Sequence, residues 1–264
     1  MQCKLRHLAA TSLDATTAIT NGTLRDLAAH GACVVTLGIP GAPRVDTVSH
    51  VAVTLRKLDV SGRACGVGDA GLVLATRVRI INVSRNGAVR TVAPFAASLR
   101  ELMASSGILD VCGIDDAGLV SATRIRVLDA TANAAISTVA PFAASLRSLG
   151  ACDRRCGIGD AGLLTATGLK VLNAAGNAAI SSASPFGASL RKLNASNGCG
   201  IDDAGLAQAT RIRELCASYN ENIRSVSPFA ASLNVRRQAR DLPFTSRRAP
   251  ASARPPRMPV QALP

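Results

Sequence analysis

A strong internal repeat is the feature that most constrains this chain. The segment CGVGDAGL begins at Cys65, and close copies of it follow in steps of 47, 44 and 43 residues. A second segment, PFAASL or PFGASL, recurs with the same three steps. Self-similarity at such a period indicates an architecture in which each unit packs on its neighbours. The copies begin at Cys65, Cys112, Cys156 and Cys199 for the first segment, and at Pro94, Pro141, Pro185 and Pro228 for the second.

Each long period contains two shorter units that open with the same pattern, apolar-basic-x-apolar-x-small. Examples are LRELMA from Leu99 and IRVLDA from Ile125. Positions 4 and 6 share the two-residue period of a short strand with one buried face, so each unit is predicted to begin with a strand. The first residues of the units are Val34, Leu55, Val78, Leu99, Ile125, Leu146, Leu169, Leu190, Ile212 and Leu233.

These units resemble leucine-rich repeats, whose signature is L-x-x-L-x-L-x-x-N/C. The ninth position is asparagine in four of the 21-residue units, and a cysteine follows in the longer units. The former are similar to internalin-type units, the latter to the cysteine-containing units of F-box ubiquitin-ligase subunits, and their alternation to repeat proteins of kinetoplastid parasites. The resemblance implies that the asparagines, and in their place the cysteines, bond neighbouring backbones. The asparagines are Asn86, Asn133, Asn177 and Asn220.

The resemblance also implies the fold, an α/β solenoid in the form of a leucine-rich repeat horseshoe with a concave parallel β-sheet and short convex helices or turns. Three segments are expected: degenerate N-terminal repeats over residues 1–33, the repeat array over 34–233, and a disordered Arg/Pro-rich tail over 234–264. The tail contains seven arginines, one aspartate and six prolines, so much of the net charge of +13 belongs to it. Both ends interrupt a repeat, which leaves open that the chain is a fragment of a longer array.

Three recurring residue types predict the convex side, and a fourth, the strand leucine, predicts the core. An aspartate precedes each Ala-Gly-Leu and is expected to accept hydrogen bonds from the free amides of a short helix. A proline suits the first helical position, and the phenylalanine after it is expected to be buried. Leucines at strand position 4 are expected to supply most of the burial. The residues are Asp69, Asp116, Asp160 and Asp203; Pro94, Pro141, Pro185 and Pro228; Phe95, Phe142, Phe186 and Phe229; and Leu102, Leu128, Leu149, Leu172 and Leu193.

The cysteines and paired aspartates do not indicate catalysis. One cysteine per double unit and three scattered histidines do not form the clusters that zinc requires, so the repeated cysteines are interpreted as buried thiols. Asp115-Asp116 and Asp202-Asp203 are interpreted as helix caps, because the second aspartate is present in every copy. CGVGDAG lacks the lysine of a phosphate loop. We therefore expect no enzyme activity, no cofactor, no metal site and no small-molecule substrate.

Strand position 2 carries a cation in nearly every unit. Stacked at strand spacing, these residues would form a basic stripe that meets an acidic protein or a phosphate backbone. The alternative is that they are solvated or paired with neighbouring carboxylates. The residues are Arg25, Arg56, Arg79, Arg100, Arg126, Arg147, Lys170, Arg191 and Arg213.

The side chains beside the stripe are predicted to determine specificity if the concave face binds a partner. They occupy the variable positions 3, 5 and 7 of the strand pattern. The candidate interface consists of Arg56, Lys57, Asp59, Arg79, Arg100, Glu101, Arg126, Asp129, Arg147, Lys170, Arg191, Lys192, Asn194, Arg213 and Glu214.

The function predicted from these observations is a non-enzymatic scaffold that binds a protein through the concave face. Three alternatives stay open: a substrate-recognition subunit of a ubiquitin ligase, an RNA or anionic-surface binder that uses the stripe and tail, and a degenerate fragment. Aromatic residues are only 2% of the chain, which disfavours an extensive base-stacking surface. No run of apolar residues approaches membrane length and no secretory signal is recognisable, so an intracellular location is expected.

Overall fold

The computed structural model describes residues 6–9 and 18–233. These residues form one sheet of ten parallel strands whose spatial order is their order in the chain. This is the leucine-rich repeat solenoid that the sequence predicts. The strands are β1 (His7–Ala9), β2 (Thr36–Gly38), β3 (Lys57–Asp59), β4 (Ile80–Asn82), β5 (Glu101–Met103), β6 (Val127–Asp129), β7 (Ser148–Gly150), β8 (Val171–Asn173), β9 (Lys192–Asn194) and β10 (Glu214–Cys216).

The strands comprise positions 3 to 5 of the sequence pattern, and their middle residue faces the core. Leu128 of β6, for example, is aligned with Leu102 of β5 and Leu149 of β7, and all three are buried. Positions 1 and 6 are buried as well, so one apolar cluster extends through the stacked units from Leu24 to Phe229. The predicted core leucines are therefore confirmed. Because the side chains at positions 3 and 5 point away from this core, they form a second surface, which we call the open sheet face.

Short helices on the opposite side close each unit. Four single-turn α-helices begin at the repeated aspartates, and four short 3₁₀-helices contain the repeated prolines as their second residue. The phenylalanine that ends each 3₁₀-helix is buried, as predicted. The helices are α1 (Asn21–Ala29), α2 (Asp69–Leu72), α3 (Asp116–Leu119), α4 (Asp160–Leu163) and α5 (Asp203–Leu206), and the 3₁₀-helices are Ala93–Phe95, Ala140–Phe142, Ser184–Phe186 and Ser227–Phe229.

The asparagine ladder is present and joins each unit to the one before it. Asn133 is 1% exposed, and its Nδ2 donates to the carbonyl oxygens of Ala104 and Ile114 at 2.9 and 3.1 Å. Its Oδ1 accepts a bond from the amide of Ala135 at 2.9 Å. One buried amide therefore satisfies three backbone groups in a turn that no strand pairing reaches.

The repeated cysteines occupy the same place in the longer units. The Sγ atoms of Cys112 and Cys156 lie 3.5 Å from the carbonyl oxygens of Val83 and Ala130, the residues at position 6 of the preceding units. Cys65 makes the equivalent contact with Ile39 at 3.8 Å, whereas Cys199 lies 3.8 Å from the carbonyl of Ile180. The thiol thus replaces the asparagine side chain as a weaker donor.

The helix-cap prediction is wrong in its choice of residue. Asp116 is the first residue of α3, and the N-cap is Asp115, whose Oδ1 accepts from the amide of Gly118 at 2.8 Å. Asp116 Oδ1 instead accepts from the amides of Ser137 and Thr138 in the next unit, at 2.9 and 3.2 Å. The repeated aspartate is therefore a bridge between units, while the N-cap position accepts aspartate or glycine, both of which are favourable there.

The glycine of each Asp-Ala-Gly-Leu segment is required by a close contact with the preceding unit, which the sequence analysis did not anticipate. A Cβ atom on Gly118 would lie 2.0 Å from the carbonyl oxygen of Arg90. The carbonyl oxygen of Gly118 in turn accepts a bond from the amide of Val92 at 3.2 Å. Backbones approach too closely here for any side chain.

Arg25 does not belong to the basic stripe, contrary to the prediction. It lies in α1, a nine-residue helix that begins with a capping box between Thr20 and Thr23. The segment LRDLAA fits the strand pattern because its first two leucines are three residues apart, a spacing that also places both on one face of a helix. Arg6, which immediately precedes β1, occupies the position that Arg56 occupies before β3.

The predicted tail at residues 234–264 lies outside the described residues, as do residues 1–5 and 10–17 of the predicted N-terminal repeats. Within the described part of the chain, no helix is long and apolar enough to cross a membrane.

Candidate protein interface

The open sheet face is built from two columns of side chains that run across the strands. Strand register places residues at position 3 side by side, and the same holds for position 5. Position 3 alternates between apolar and polar residues, so that Ile80, Val127 and Val171 stand on every second strand. Position 5 is dominated by carboxylates and amides. The two columns from β3 onwards are Lys57, Ile80, Glu101, Val127, Ser148, Val171, Lys192 and Glu214, and Asp59, Asn82, Met103, Asp129, Gly150, Asn173, Asn194 and Cys216.

The predicted interface residues at positions 3 and 5 all lie on this face and are at least partly exposed. Lys57 and Glu101 are separated by β4, whereas Lys192 and Glu214 are neighbours whose Nζ and Oε2 atoms form an ion pair at 3.0 Å. Both side chains of this pair are about half exposed, so solvent screens the pair and it contributes little stability. The other members are Asp59, Asp129 and Asn194.

The cations at position 2 divide into two groups with different environments. Four arginines, which we call the capping arginines, donate from Nη1 to backbone carbonyl oxygens of the preceding turn. In Arg147 the acceptors are the carbonyls of Leu146 and Ala144, at 2.8 and 3.0 Å. This finding supports a structural role for four of the nine cations of the predicted stripe, because a guanidinium there satisfies carbonyls left free at the end of a turn. The capping arginines are Arg56, Arg100, Arg147 and Arg191.

The remaining cations at position 2 are exposed, and further exposed arginines precede them by two residues. Arg77, Arg124 and Arg211 were not recognised as site residues in the sequence, although the recurring segment Thr-Arg-apolar-Arg signals them. We call the combined set the basic edge. It belongs to the units of β4, β6, β8 and β10 and consists of Arg77, Arg79, Arg124, Arg126, Lys170, Arg211 and Arg213.

The positive charges of three members of the basic edge repel that of the neighbouring capping arginine, Arg100. Partial burial of the Arg100 guanidinium lowers its pKa, and the positive charges of Arg124, Arg126 and Arg79 lower it further. Within residues 6–9 and 18–233, no ion pair includes Arg79, Arg124 or Arg126. An anion placed against this edge would relieve the mutual repulsion.

A shallow hollow lies on the open sheet face near its C-terminal end. It has a volume of about 310 Å³ and is lined by the strands β8, β9 and β10. Val171 and Cys216 contribute apolar or weakly polar surface, while Lys192 and Glu214 place charges at its border. An apolar floor with a charged border is typical of the centre of a protein interface.

A loop between β5 and α3 presents a second exposed apolar surface that the sequence analysis missed. Ile108 and Leu109 are each 85% exposed. The loop reaches beyond its adjacent units to the units two before and two after its own. Arg155 Nη1 donates to the carbonyl oxygen of Gly107 at 3.1 Å, and Arg63 Nη1 lies 3.7 Å from Asp110 Oδ1. The signal in the sequence was the greater length of this unit, since the insertion contains both residues.

The repeated cysteines have the properties of structural thiols. Burial raises the pKa of the Cys112 and Cys156 thiols to about 11, although backbone hydrogen bonds oppose the shift. Burial likewise raises the thiol pKa of Cys65 and Cys199. Among the described residues, no group of three or more His, Cys, Asp or Glu side chains is placed to hold a metal ion.

We expect the repeated thiols to resist alkylation in the folded protein. At pH 8 a thiol with a pKa of about 11 is ionised in about one molecule in a thousand, and only the thiolate reacts. Iodoacetamide treatment followed by peptide mass spectrometry should label Cys216, which is partly exposed on β10, well before Cys112 or Cys156. All of them should react at comparable rates in guanidinium chloride. Rapid native labelling of Cys112 would show that the ladder opens under native conditions.

Comparisons with known proteins give no match in sequence and a distant one in structure. No protein-family model and no curated protein sequence matches the chain. Among solved structures, an internalin from Listeria monocytogenes is similar, with 18% sequence identity and a TM-score of 0.49. The match covers 80% of this chain and 74% of the internalin.

Proposed function

We propose that the protein is a non-enzymatic interaction scaffold that binds a partner protein through the open sheet face. The observation that supports this most directly is the continuity of that face over ten parallel strands. Apolar side chains at Ile80, Val127 and Val171 alternate on it with the charged side chains of Lys57, Glu101 and Lys192. Apolar contacts between charged neighbours provide affinity and orientation together. An intracellular location, as expected from the sequence, is part of this proposal.

The dimensions of the open sheet face suit a protein partner. Ten strands at about 4.8 Å give a length of roughly 45 Å, and five pattern positions at about 3.3 Å give a width of roughly 16 Å. The product is roughly 700 Å², close to the ~800 Å² that each partner contributes to a standard interface. A small molecule would cover only a fraction of such a surface.

The RNA-binding alternative is less well supported by the described residues. The repeated phenylalanines are buried in the core, and Tyr219 is the exposed aromatic residue within residues 6–9 and 18–233. Sequence-independent binding of single-stranded nucleic acid relies on stacking of bases against aromatic side chains. The ligase-subunit and fragment alternatives rest on the sequence alone.

Site-specific photocrosslinking in the native cells tests the proposal. Benzoylphenylalanine would replace Val127 or Val171 on the open sheet face and, as matched controls, Val120 or Leu164 among the exposed apolar residues near α3 and α4. We expect one discrete protein to be crosslinked from Val127 and Val171 and not from the controls. Crosslinks that form only from Val120 and Leu164 would contradict the proposal and place the interface on the helical side.

A further inference from the structure

We propose that the partner presents an extended acidic segment that lies across the strands along the basic edge, with a carboxylate at every third residue. This inference rests on the proposed function, since it specifies what the partner places beside the open sheet face. It depends on the spacing, the chemistry and the surroundings of the exposed cations.

The spacing of the basic edge selects the conformation of the segment. Its cations belong to β4, β6, β8 and β10, so the groups repeat at every second strand, or about 9.6 Å at the usual strand separation. A polyproline II helix has three residues per turn and a rise of about 3.1 Å, so every third side chain returns to the same side after about 9.3 Å. A β-strand repeats its side-chain direction after only about 6.6 Å. The polyproline II period is therefore the one that matches.

The residue types at the basic edge select carboxylates. Arg79 and Arg126 are exposed guanidinium groups, each of which can bind a carboxylate through two parallel hydrogen bonds. The capping arginines alternate with them along the sheet and are half-buried against backbone carbonyls, so the exposed cations occur at alternate strands. Burial, and after it the positive charges of Arg124, Arg126 and Arg79, lower the pKa of Arg100. None of these three cations forms an ion pair within residues 6–9 and 18–233.

The open sheet face next to the basic edge offers an apolar contact in three of the four units, those of β4, β6 and β8. Ile80, Val127 and Val171 each follow an exposed cation of the basic edge by one residue, after Arg79, Arg126 and Lys170. A polyproline II segment presents three rows of side chains, so one row of carboxylates and an adjacent apolar row can contact both features at once. Charge and apolar contact thus recur with the same period.

Nucleic acid fits this arrangement less well. The groups of cations extend across β4 to β10, a distance of about 29 Å, which approaches the length of a full turn of duplex DNA. About halfway along that distance a phosphate strand lies on the far side of the duplex, so one strand cannot follow the whole row of cations. A single strand would need stacking surfaces, and the described phenylalanines are buried.

Fluorescence anisotropy with the full-length protein at physiological ionic strength tests the inference. The probe is a fluorescein-labelled ten-residue peptide with glutamate at positions 1, 4, 7 and 10 and proline elsewhere, whose glutamates extend over about 28 Å as a polyproline II helix. A peptide of the same composition with its four glutamates consecutive is the control for spacing. We expect the regularly spaced peptide to bind about tenfold more tightly.

Charge variants show where the peptide binds. The triple variant Arg79→Gln, Arg126→Gln and Arg211→Gln should weaken binding about tenfold. The triple variant Arg44→Gln, Arg90→Gln and Arg154→Gln removes the same charge at exposed positions elsewhere and should bind like the unmodified protein. Circular dichroism would verify that both variants are folded.

Three results would overturn the inference: equal affinity for the two peptides, equal loss in the two variants, or tighter binding of pentauridylate, which has four phosphates, than of the regularly spaced peptide. If photocrosslinking identifies a partner on the open sheet face while the peptides are not distinguished, the proposed function stands and only the acidic segment is wrong. If neither Val127 nor Val171 yields a crosslink, the proposed function itself fails.

Discussion

Replacing Phe142 with alanine is expected to lower the free energy of unfolding by about 3–5 kcal/mol, the usual cost of removing a fully buried aromatic ring. Phe142 is 1% exposed and ends the 3₁₀-helix that closes its unit. Its carbonyl oxygen accepts bonds from the amides of Ser145 and Leu146, both at 3.0 Å, which the substitution retains. The decrease in the free energy of unfolding therefore measures the packing of the ring and not the hydrogen bonds of the turn. Guanidinium titration followed by circular dichroism would measure it.

Two further variants test whether the lost stability comes from the buried ring of Phe142. Phe142→Leu retains most of the buried volume and should lose clearly less stability than Phe142→Ala. Leu164→Ala removes an apolar side chain that is 64% exposed and should change the free energy of unfolding by less than about 0.5 kcal/mol. Equal effects of Phe142→Ala and Leu164→Ala would mean that the phenylalanines do not stabilise the array.

Replacing Asn133 with alanine is expected to cost about 3 kcal/mol. The substitution leaves the carbonyls of Ala104 and Ile114 and the amide of Ala135 without the bonds that Asn133 supplies. An unsatisfied buried polar group costs about 1–3 kcal/mol, and two of the three groups belong to buried residues. Since each unit contacts only its neighbours, the loss should weaken the array at this unit. Urea titration monitored by circular dichroism would reveal a lower midpoint or a second transition.

The control for Asn133 is Asn222→Ala, which removes the same side chain at an exposed position. We expect a change within about 0.5 kcal/mol for this variant. A wild-type urea midpoint for Asn133→Ala would show that water replaces the ladder bonds without penalty, and the structural role assigned to the repeated asparagines would then be wrong.

Much of the fold was predictable because the units stack in chain order. A residue that recurs once per unit in the sequence therefore recurs at the same place in each unit of the structure. The ninth-position asparagines are buried because their spacing places each of them in the same turn of its unit. The phenylalanines lie at equivalent core positions in every second unit. Prediction failed where local patterns are ambiguous. LRDLAA around Arg25 satisfies both the strand pattern and a helical face, and only the capping box at Thr20 and Thr23 distinguishes them.

The strand pattern was sufficient to place the position-3 and position-5 residues on one face, but it did not reveal that the position-2 cations form two groups. Their common position in the pattern suggested that these cations are equivalent, yet Arg147 is held by backbone carbonyls while Arg126 is exposed. The difference arises from the preceding turn. A 3₁₀-helix and the turn that continues it offer carbonyl oxygens to Arg147, whereas Arg126 follows the α3 turn and an arginine at Arg124. Which carbonyl oxygens can accept a hydrogen bond from the arginine is known only once the backbone path of the turn is known.

The sequence by itself determined the repeat, the number of residues in each unit, the buried positions and the place of the ladder, because these depend on spacing along the chain. The tertiary structure decided which carboxylate caps a helix and which bridges to the next unit. Asp115 and Asp116 are adjacent and chemically identical, yet one bonds within its unit and the other 21 residues away. Their roles differ because stacking brings the amide of Ser137 to Asp116. This contact between units cannot be predicted from the repeat period or from the residue type.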